Sequence, residues 1–235
     1  MLVLIDGRGV YSPLFHGVYW EVQDTLLKDI ERIEVIRGPG GTIWGANAVN
    51  AVINIITKSA KDTHGTLLSV GGGNIDQRAV GFRYGGGSGN NLHYRFYGKG
   101  FSRGPEFHPD GRQFDDWRMG QAGFRADWES NRRDTLTFQG DIYDGDAGER
   151  VTIARYSPPS AMNVEGNAEL AGATCRLVGG GCWPKARKFS CKSITTERAG
   201  KSPILARRET LSTLISSTTL PCQADTTSYG ALGRA

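Results

Sequence analysis

Between Ile30 and Lys58 the chain carries two short β-branched runs separated by a glycine-rich break, and few folds accept that pattern. Ile30, Ile33, Val35 and Ile36, interleaved with charges, read as a strand. Gly38-Pro39-Gly40-Gly41 stops it in a turn suited to glycine and proline alone. Val52 to Thr57 is the second run. Between them, Trp44 to Asn50 is too short for a free helix and too rich in Gly and Asn for a strand, which predicts a single helical turn or compact loop. A glycine-rich turn can cradle phosphate, but no Gly-x-x-x-x-Gly-Lys-Ser/Thr occurs and Lys58 lies a strand away, so the stretch does not read as a P-loop.

Upstream, Leu2 to Asp6 reads as a strand and Asp6-Gly7-Arg8-Gly9 as a turn. The segment Tyr11 to Trp20 holds Tyr11, Phe15, His16, Tyr19 and Trp20 with neither helical nor strand period, which predicts a loop. Its aromatics could contact a bulky ligand or fill a packing seam, and the residues alone favour neither. Asp24 to Asp29 is expected to form a short helical turn capped by Asp24, with Leu26, Leu27 and Ile30 on one side.

The run from Ile30 to Lys58, with Ile-Glu-Arg-Ile-Glu-Val-Ile-Arg-Gly-Pro, Trp44-Gly45 and Val52-Ile53-Asn54-Ile55-Ile56-Thr57-Lys58, resembles the distal half of the plug of TonB-dependent outer-membrane receptors. Val3-Leu4-Ile5-Asp6-Gly7 resembles the strand and turn that precede it, so the likeness covers Leu2 to Lys58. Trp44-Gly45 stands where the family often has Tyr-Gly, and Ala48-Val49-Asn50-Ala51-Val52 replaces its usual Ala-x-Gly-Gly-Val. The resemblance implies that Tyr11, Phe15, His16, Tyr19 and Trp20 form a ligand-facing loop at the plug apex. It also implies that Arg37, with Glu34 beside it, contacts the barrel, Arg37 pairing with carboxylates on later strands.

After Lys58 the texture changes. Ser59 to His64 is a polar linker, and from Gly65 apolar and polar residues alternate between glycine-rich or charged turns. Thr66 to Val70 is followed by Val80, Phe82 and Tyr84 on one face of a strand, then Leu92, Tyr94 and Phe96, then Ala122, Phe124, Ala126 and Trp128, then Leu136, Phe138 and Ile142. These five segments fit transmembrane barrel strands, with Arg83, Arg95 and Arg125 on the opposite, wet face. Gly85 to Asn91 and Glu129 to Asp134 are expected as short periplasmic turns, and Arg103 to Asp116 and Asp144 to Asn163 as longer extracellular loops. About 22 strands close a receptor of the resembled type. Five cannot, and open edges leave backbone groups unsatisfied in a bilayer.

The expected fold class is therefore an α+β plug fragment followed by antiparallel transmembrane β-barrel strands of an incomplete barrel, with a disordered or frameshifted C-terminal tail. The expected division is 1–58 plug, 59–64 linker, 65–172 barrel strands and 173–235 irregular tail. All four cysteines (Cys175, Cys182, Cys191 and Cys222) fall in the last third at spacings that match no metal pattern. Lys185 to Lys188 is basic and Ser193 to Thr219 is rich in Ser, Thr and Arg, with weak alternation. Codons for Ser193 to Thr196 can be chosen so that a one-base shift reads Ile-Tyr-Tyr-Asp, so a frame change near Ala173 to Arg176 is compatible with the text.

No apolar run approaches the roughly 20 residues of a membrane helix. The net charge of +4 is spread along the chain, which argues against a nucleic-acid partner. Ser, His and Asp occur in no nucleophile-base pattern, so no enzyme, cofactor or metal site is expected. No signal peptide precedes the Leu2 strand, so an outer-membrane destination places the leader ahead of this sequence. The resemblance implies import of a ferric siderophore or other metal chelate, powered by the TonB complex, with outer-membrane lipid around the strands. The alternative from the residues alone is a soluble β-rich binding or adhesion protein.

Overall fold

The computed structural model describes residues 1–11, 17–45, 47–89, 91–131, 134–157, 160–180, 187–198 and 216–219, the last two by backbone alone. Two sheets account for them. The first contains β1 (Leu2–Ile5), β2 (Arg8–Gly9), β3 (Ile30–Arg37) and β4 (Ala51–Thr57) in the order β2-β1-β4-β3. β1 and β4 run parallel, Leu2 opposite Val52 through Ile5 opposite Ile55, while β3 is antiparallel to β4. A parallel pair needs a long crossover, and residues 6–50 supply it. One helical turn, α1 (Gly41–Trp44), starts within the Gly-Pro turn and ends at Trp44, where the helical turn or compact loop was expected to begin. Leu2, Ala48 and Val52 pack together under Leu4 and Trp44.

The turn predicted for residues 24–29 is a single 3-10 turn, Leu27–Asp29. Leu26 is buried and Leu27 is 77% exposed, so they do not share a face as expected. The tighter 3-10 screw puts residues three apart in line, and it turns the Asp29 carboxylate inward.

The second sheet is an antiparallel meander. It contains β5 (Gly65–Gly71), β6 (Asp76–Ser88), β7 (Leu92–Arg103), β8 (Trp117–Asn131), β9 (Asp134–Ala154), β10 (Ala161–Gly180), β11 (Arg187–Arg198) and β12 (Ser216–Thr219). β5 and β12 are its edges, so the sheet is not closed. Among the described residues no helix is long and apolar enough to cross a membrane.

The alternation assigned from sequence holds. Leu68, Val80, Phe82, Tyr84, Phe96, Phe138 and Ile142 lie exposed on one face, while His93, Arg95, Met119 and Tyr143 are buried on the other. Connections differ at the two ends. Three residues separate β6 from β7 and two separate β8 from β9, whereas 104–116 is a long loop.

The expected loop from Asp144 to Asn163 is not a loop. β9 continues to Ala154 and β10 begins at Ala161, paired residue for residue from Ala161 opposite Ala154 to Gly180 opposite Thr135. Charges and glycines there read as loop because Gly145 and Glu149 interrupt the period-2 hydrophobic signal, although Val151 faces Val164 and Ile153 faces Met162 across the ladder. Its ladder is nonetheless supported across strands, with Arg150 Nη2 donating to Glu165 Oε1 at 2.8 Å and Thr152 Oγ1 to Asn163 Oδ1 at 2.8 Å. β10 thus runs past residue 172, where the barrel segment was expected to end. β11 and β12 extend the sheet, and most of the tail lies outside the described residues.

Candidate functional site: the plug and wall seam

The buried face of the meander meets the first sheet, and their seam is charged. Thr57, the last residue of β4, stands at its centre and is 6% exposed. Its hydroxyl donates to Asp6 Oδ2 at 2.8 Å and accepts from Arg95 Nη2 at 2.9 Å and Arg125 Nη1 at 3.1 Å. One donor and two lone pairs are all a threonine hydroxyl has, and all are used. The Thr57 amide donates to Asp6 Oδ1 at 2.7 Å, so the Asp6-Gly7 turn locks the ends of β1 and β4 together. Asp6 holds a positive φ of 49°, a conformation Asp tolerates better than most residues, and Gly7 follows at 74°.

One residue on, the Lys58 carbonyl accepts from Arg95 Nη1 at 2.7 Å, and the Lys58 amide donates to the Asp29 carbonyl at 2.8 Å. The Asp29 carboxylate accepts from Arg83 Nη1 on β6, with Arg95 Nε on β7 3.8 Å away. Lys99, also on β7, pairs with Asp24 at 2.6 Å. On β8, Arg125 is held by Asp127 at 2.9 Å, whose carboxylate also accepts from the Thr137 hydroxyl and from the Ala60 amide of the linker at 2.7 Å each. Wall cations thus meet carboxylates of the first sheet and its crossover. That matching matters, because a buried charge without a partner is far costlier than a paired one.

At the other end of the seam, Val22, Met119, Tyr143 and Leu170 form an apolar cluster against which Tyr19, Trp117 and Ala147 pack. Tyr19 therefore lies at the end that carries the long loop and the long hairpin, and the linker at the end with the short connections. A cavity of about 70 Å³ between the two, bordered by Asp24, Asp29, Arg95, Tyr97, Gln121 and Asp141, is too small for a drug-sized ligand. A second, of about 350 Å³, opens between Gly7, Trp44, Ile56, Gln139 and Arg176.

The residues singled out from sequence fall in different places. Tyr19 is half-buried in the seam and Trp20 is 49% exposed. Tyr11 is half-buried, and Phe15 and His16 lie outside the described residues. Glu34 is engaged within the first sheet, accepting from Arg32 Nε at 2.8 Å and Asn54 Nδ2 at 2.9 Å. Those two bonds, Arg32 first, hold its carboxyl below the usual carboxylate range. Arg37 is exposed on the edge strand β3 and forms no ion pair among the described residues. Among the described residues neither Glu34 nor Arg37 forms a hydrogen bond or ion pair with the wall strands, and the polar contacts to the wall come from residues that include Asp6, Asp24, Asp29 and Thr57. The sequence signal for these was indirect: three lumen arginines on Arg83, Arg95 and Arg125 required acidic partners, without naming them.

Residues 1–52 match the family model for the TonB-dependent receptor plug domain. The chain is 45% identical over 53 residues, 23% of its length and 9% of the relative's, to the vitamin B12 transporter BtuB of Vibrio vulnificus. It is 32% identical over 182 residues, 62% of its length and 24% of the relative's, to the ferric enterobactin receptor of Pseudomonas aeruginosa. The chain thus spans at most about a quarter of the length of these relatives. In fold it is similar to a crystal structure of the ferric enterobactin receptor of Pseudomonas aeruginosa, with a TM-score of 0.53 and 19% identity over 81% of this chain and 33% of that one. Plug motifs, a plug-type sheet and a meander seated against it agree with these likenesses: residues 1–52 are a TonB-dependent receptor plug domain, and the chain as a whole is similar to a segment of such receptors.

Proposed function

We propose that this chain is the distal plug half and leading wall strands of an outer-membrane receptor that imports ferric siderophores or similar scarce metal chelates with energy from the TonB complex. The observation that supports this most is the seam: a plug-type sheet anchored by Thr57, Asp6 and Asp29 to arginines that project from the inner face of a meander whose outer face is apolar. Such an outer face suits lipid and such an inner face suits a plugged lumen. The plug's other side, with Ile33, Val35, Ile43 and Val49 exposed, is what further wall strands would cover. Eight strands leave the lumen open, so transport belongs to a closed receptor and not to these 235 residues alone.

Within that reading the Tyr19-Trp20 segment, at the end with the long loops, is the ligand-facing part of the plug. Trp20 supplies exposed aromatic surface and Tyr19 fixes the segment to the wall. No bond of the cargo is made or broken. The reading is tested by tryptophan-fluorescence titration of the closed receptor carrying this segment against a ferric catecholate, a ferric hydroxamate, haem and cobalamin. Saturable quenching by one of them is expected, and the absence of saturable binding for all four would remove the proposal.

A further inference from the structure

The linker between plug and wall is built into the wall. Thr63, in the 3-10 turn Lys61–Thr63, is fully buried, and its hydroxyl donates to the Ala60 carbonyl at 3.0 Å. The turn lies so close to β6 that a Cβ at Gly85 would overlap the Thr63 carbonyl oxygen. A Cβ at Gly87 would come within 3.0 Å of His93 Nδ1 and 3.3 Å of His64 Cε1. Glycine at both positions therefore makes the dock possible. The last residue of the linker, His64, is exposed, while His93 on β7 is 7% exposed, and His64 Nε2 lies 3.0 Å from His93 Nδ1.

The tautomer follows from the other ring nitrogen. His93 Nε2 is buried with no hydrogen-bond partner among the described residues. A proton there would be a buried, unpaired donor, the costly defect. The proton therefore sits on Nδ1 and is donated to the lone pair of His64 Nε2. Protonation of the exposed His64 ring at Nε2 removes that lone pair and sets two donors against each other. To keep a bond, His93 would have to move its proton to the buried, unpartnered Nε2. Imidazoles commonly change charge between about pH 5 and 8.

We propose that the His64–His93 hydrogen bond is an acid-released latch that holds the plug-to-wall linker against β7. The charged groups on the elements around the pair are Lys61 and Asp62 on the linker, Arg83 on β6, Arg95 on β7, and Asp127 and Glu129 on β8. Asp127, opposite His93 in the ladder, is already occupied by Arg125, Thr137 and the Ala60 amide, so it is not free to take over a protonated ring. The linker joins the plug sheet directly to the wall in the chain. Its release at one end frees residues 61–64 while the Thr57 and Asp29 anchors remain.

Hydrogen exchange of the full 235-residue chain in detergent micelles tests this, read over the linker at pH 8 and pH 5 and corrected for intrinsic chemistry. Linker protection should fall about tenfold at pH 5, the scale of one lost hydrogen bond. His64→Gln, whose amide oxygen accepts from His93 without titrating, should stay protected at both values, and His64→Ala should show the lowered protection at both. Unchanged wild-type protection at pH 5 would overturn the proposal. So would loss in His64→Gln equal to wild type, which would assign the effect to carboxylates, or full protection in His64→Ala.

Discussion

Replacing Asp29 by Ala should loosen the plug from the wall more than any change on the plug's exposed edge. The Asp29 side chain is 3% exposed, Arg83 13% and Arg95 6%, so the charges are shielded from water. Removing one member of a buried pair typically costs about 3 to 5 kcal/mol, because its partner is left uncompensated. Here Arg95 loses a looser ion pair, 3.8 Å long, but keeps its bonds to the Thr57 hydroxyl and the Lys58 carbonyl, while Arg83 loses the carboxylate it is hydrogen-bonded to. The low end, about 3 kcal/mol, is therefore expected. At about 1.4 kcal/mol per factor of ten, the undocked population rises roughly a hundredfold. Trypsin reports that population directly, since Lys58 precedes the linker, Lys61 lies within it, and cleavage follows the open state when opening is fast. Arg83→Met alone should give a smaller effect, and the double variant should be less damaged than the sum, because the two residues are coupled. Cleavage within twofold of wild type in Asp29→Ala, or strict additivity in the pair, would refute the reasoning.

In a ligand-binding receptor carrying this segment, Trp20→Ala should weaken ligand binding roughly tenfold with little effect on stability, as expected of an exposed aromatic contact. Tyr19→Ala should instead lower the unfolding midpoint, which urea titration of both variants would separate. The Glu34 carboxyl titrates below the ordinary range, so its bonds to Arg32 and Asn54 contribute stability above the unfolded-state value, and that contribution is lost as pH falls through the depressed folded-state value. Asn54→Ala should raise the Glu34 midpoint, read by carboxyl NMR. For the tail, the nucleotide sequence should show that a one-base shift near Ala173 to Arg176 encodes further alternating strands. Stop codons in that frame would make the tail genuine.

Period and turn chemistry carried most of the fold. The outward set Phe82, Phe96, Phe138 and Ile142 and the inward set Arg83, Arg95 and Arg125 follow from a period of two, which any half-buried strand must obey. The β9–β10 hairpin escaped because Gly145 and Glu149 interrupt the face that carries Tyr143, Ala147, Val151 and Ile153, which leaves too short a run of hydrophobic contrast to read. The seam was half legible. Arginines facing a lumen announce that carboxylates must meet them, yet which carboxylates depends on the 3-10 turn that rotates Asp29 inward and on the positive φ of Asp6. Both are local backbone events that apolar spacing does not encode. Glu34 stood out by motif, but its partners within these strands were settled by proximity, with Arg32 two residues away and Asn54 one strand away.

Accessibility of adjacent positions on β9 tests the central claim most directly. Nitroxide labels at Phe138 and Gln139, placed singly in the chain reconstituted in lipid, should part sharply. The label at Phe138 should relax strongly with oxygen, which partitions into lipid, while the label at Gln139, beside the plug, should be shielded from lipid. Equal accessibility of both labels to a water-soluble relaxant, as in a soluble β-sheet protein, would contradict a plug seated inside a membrane wall.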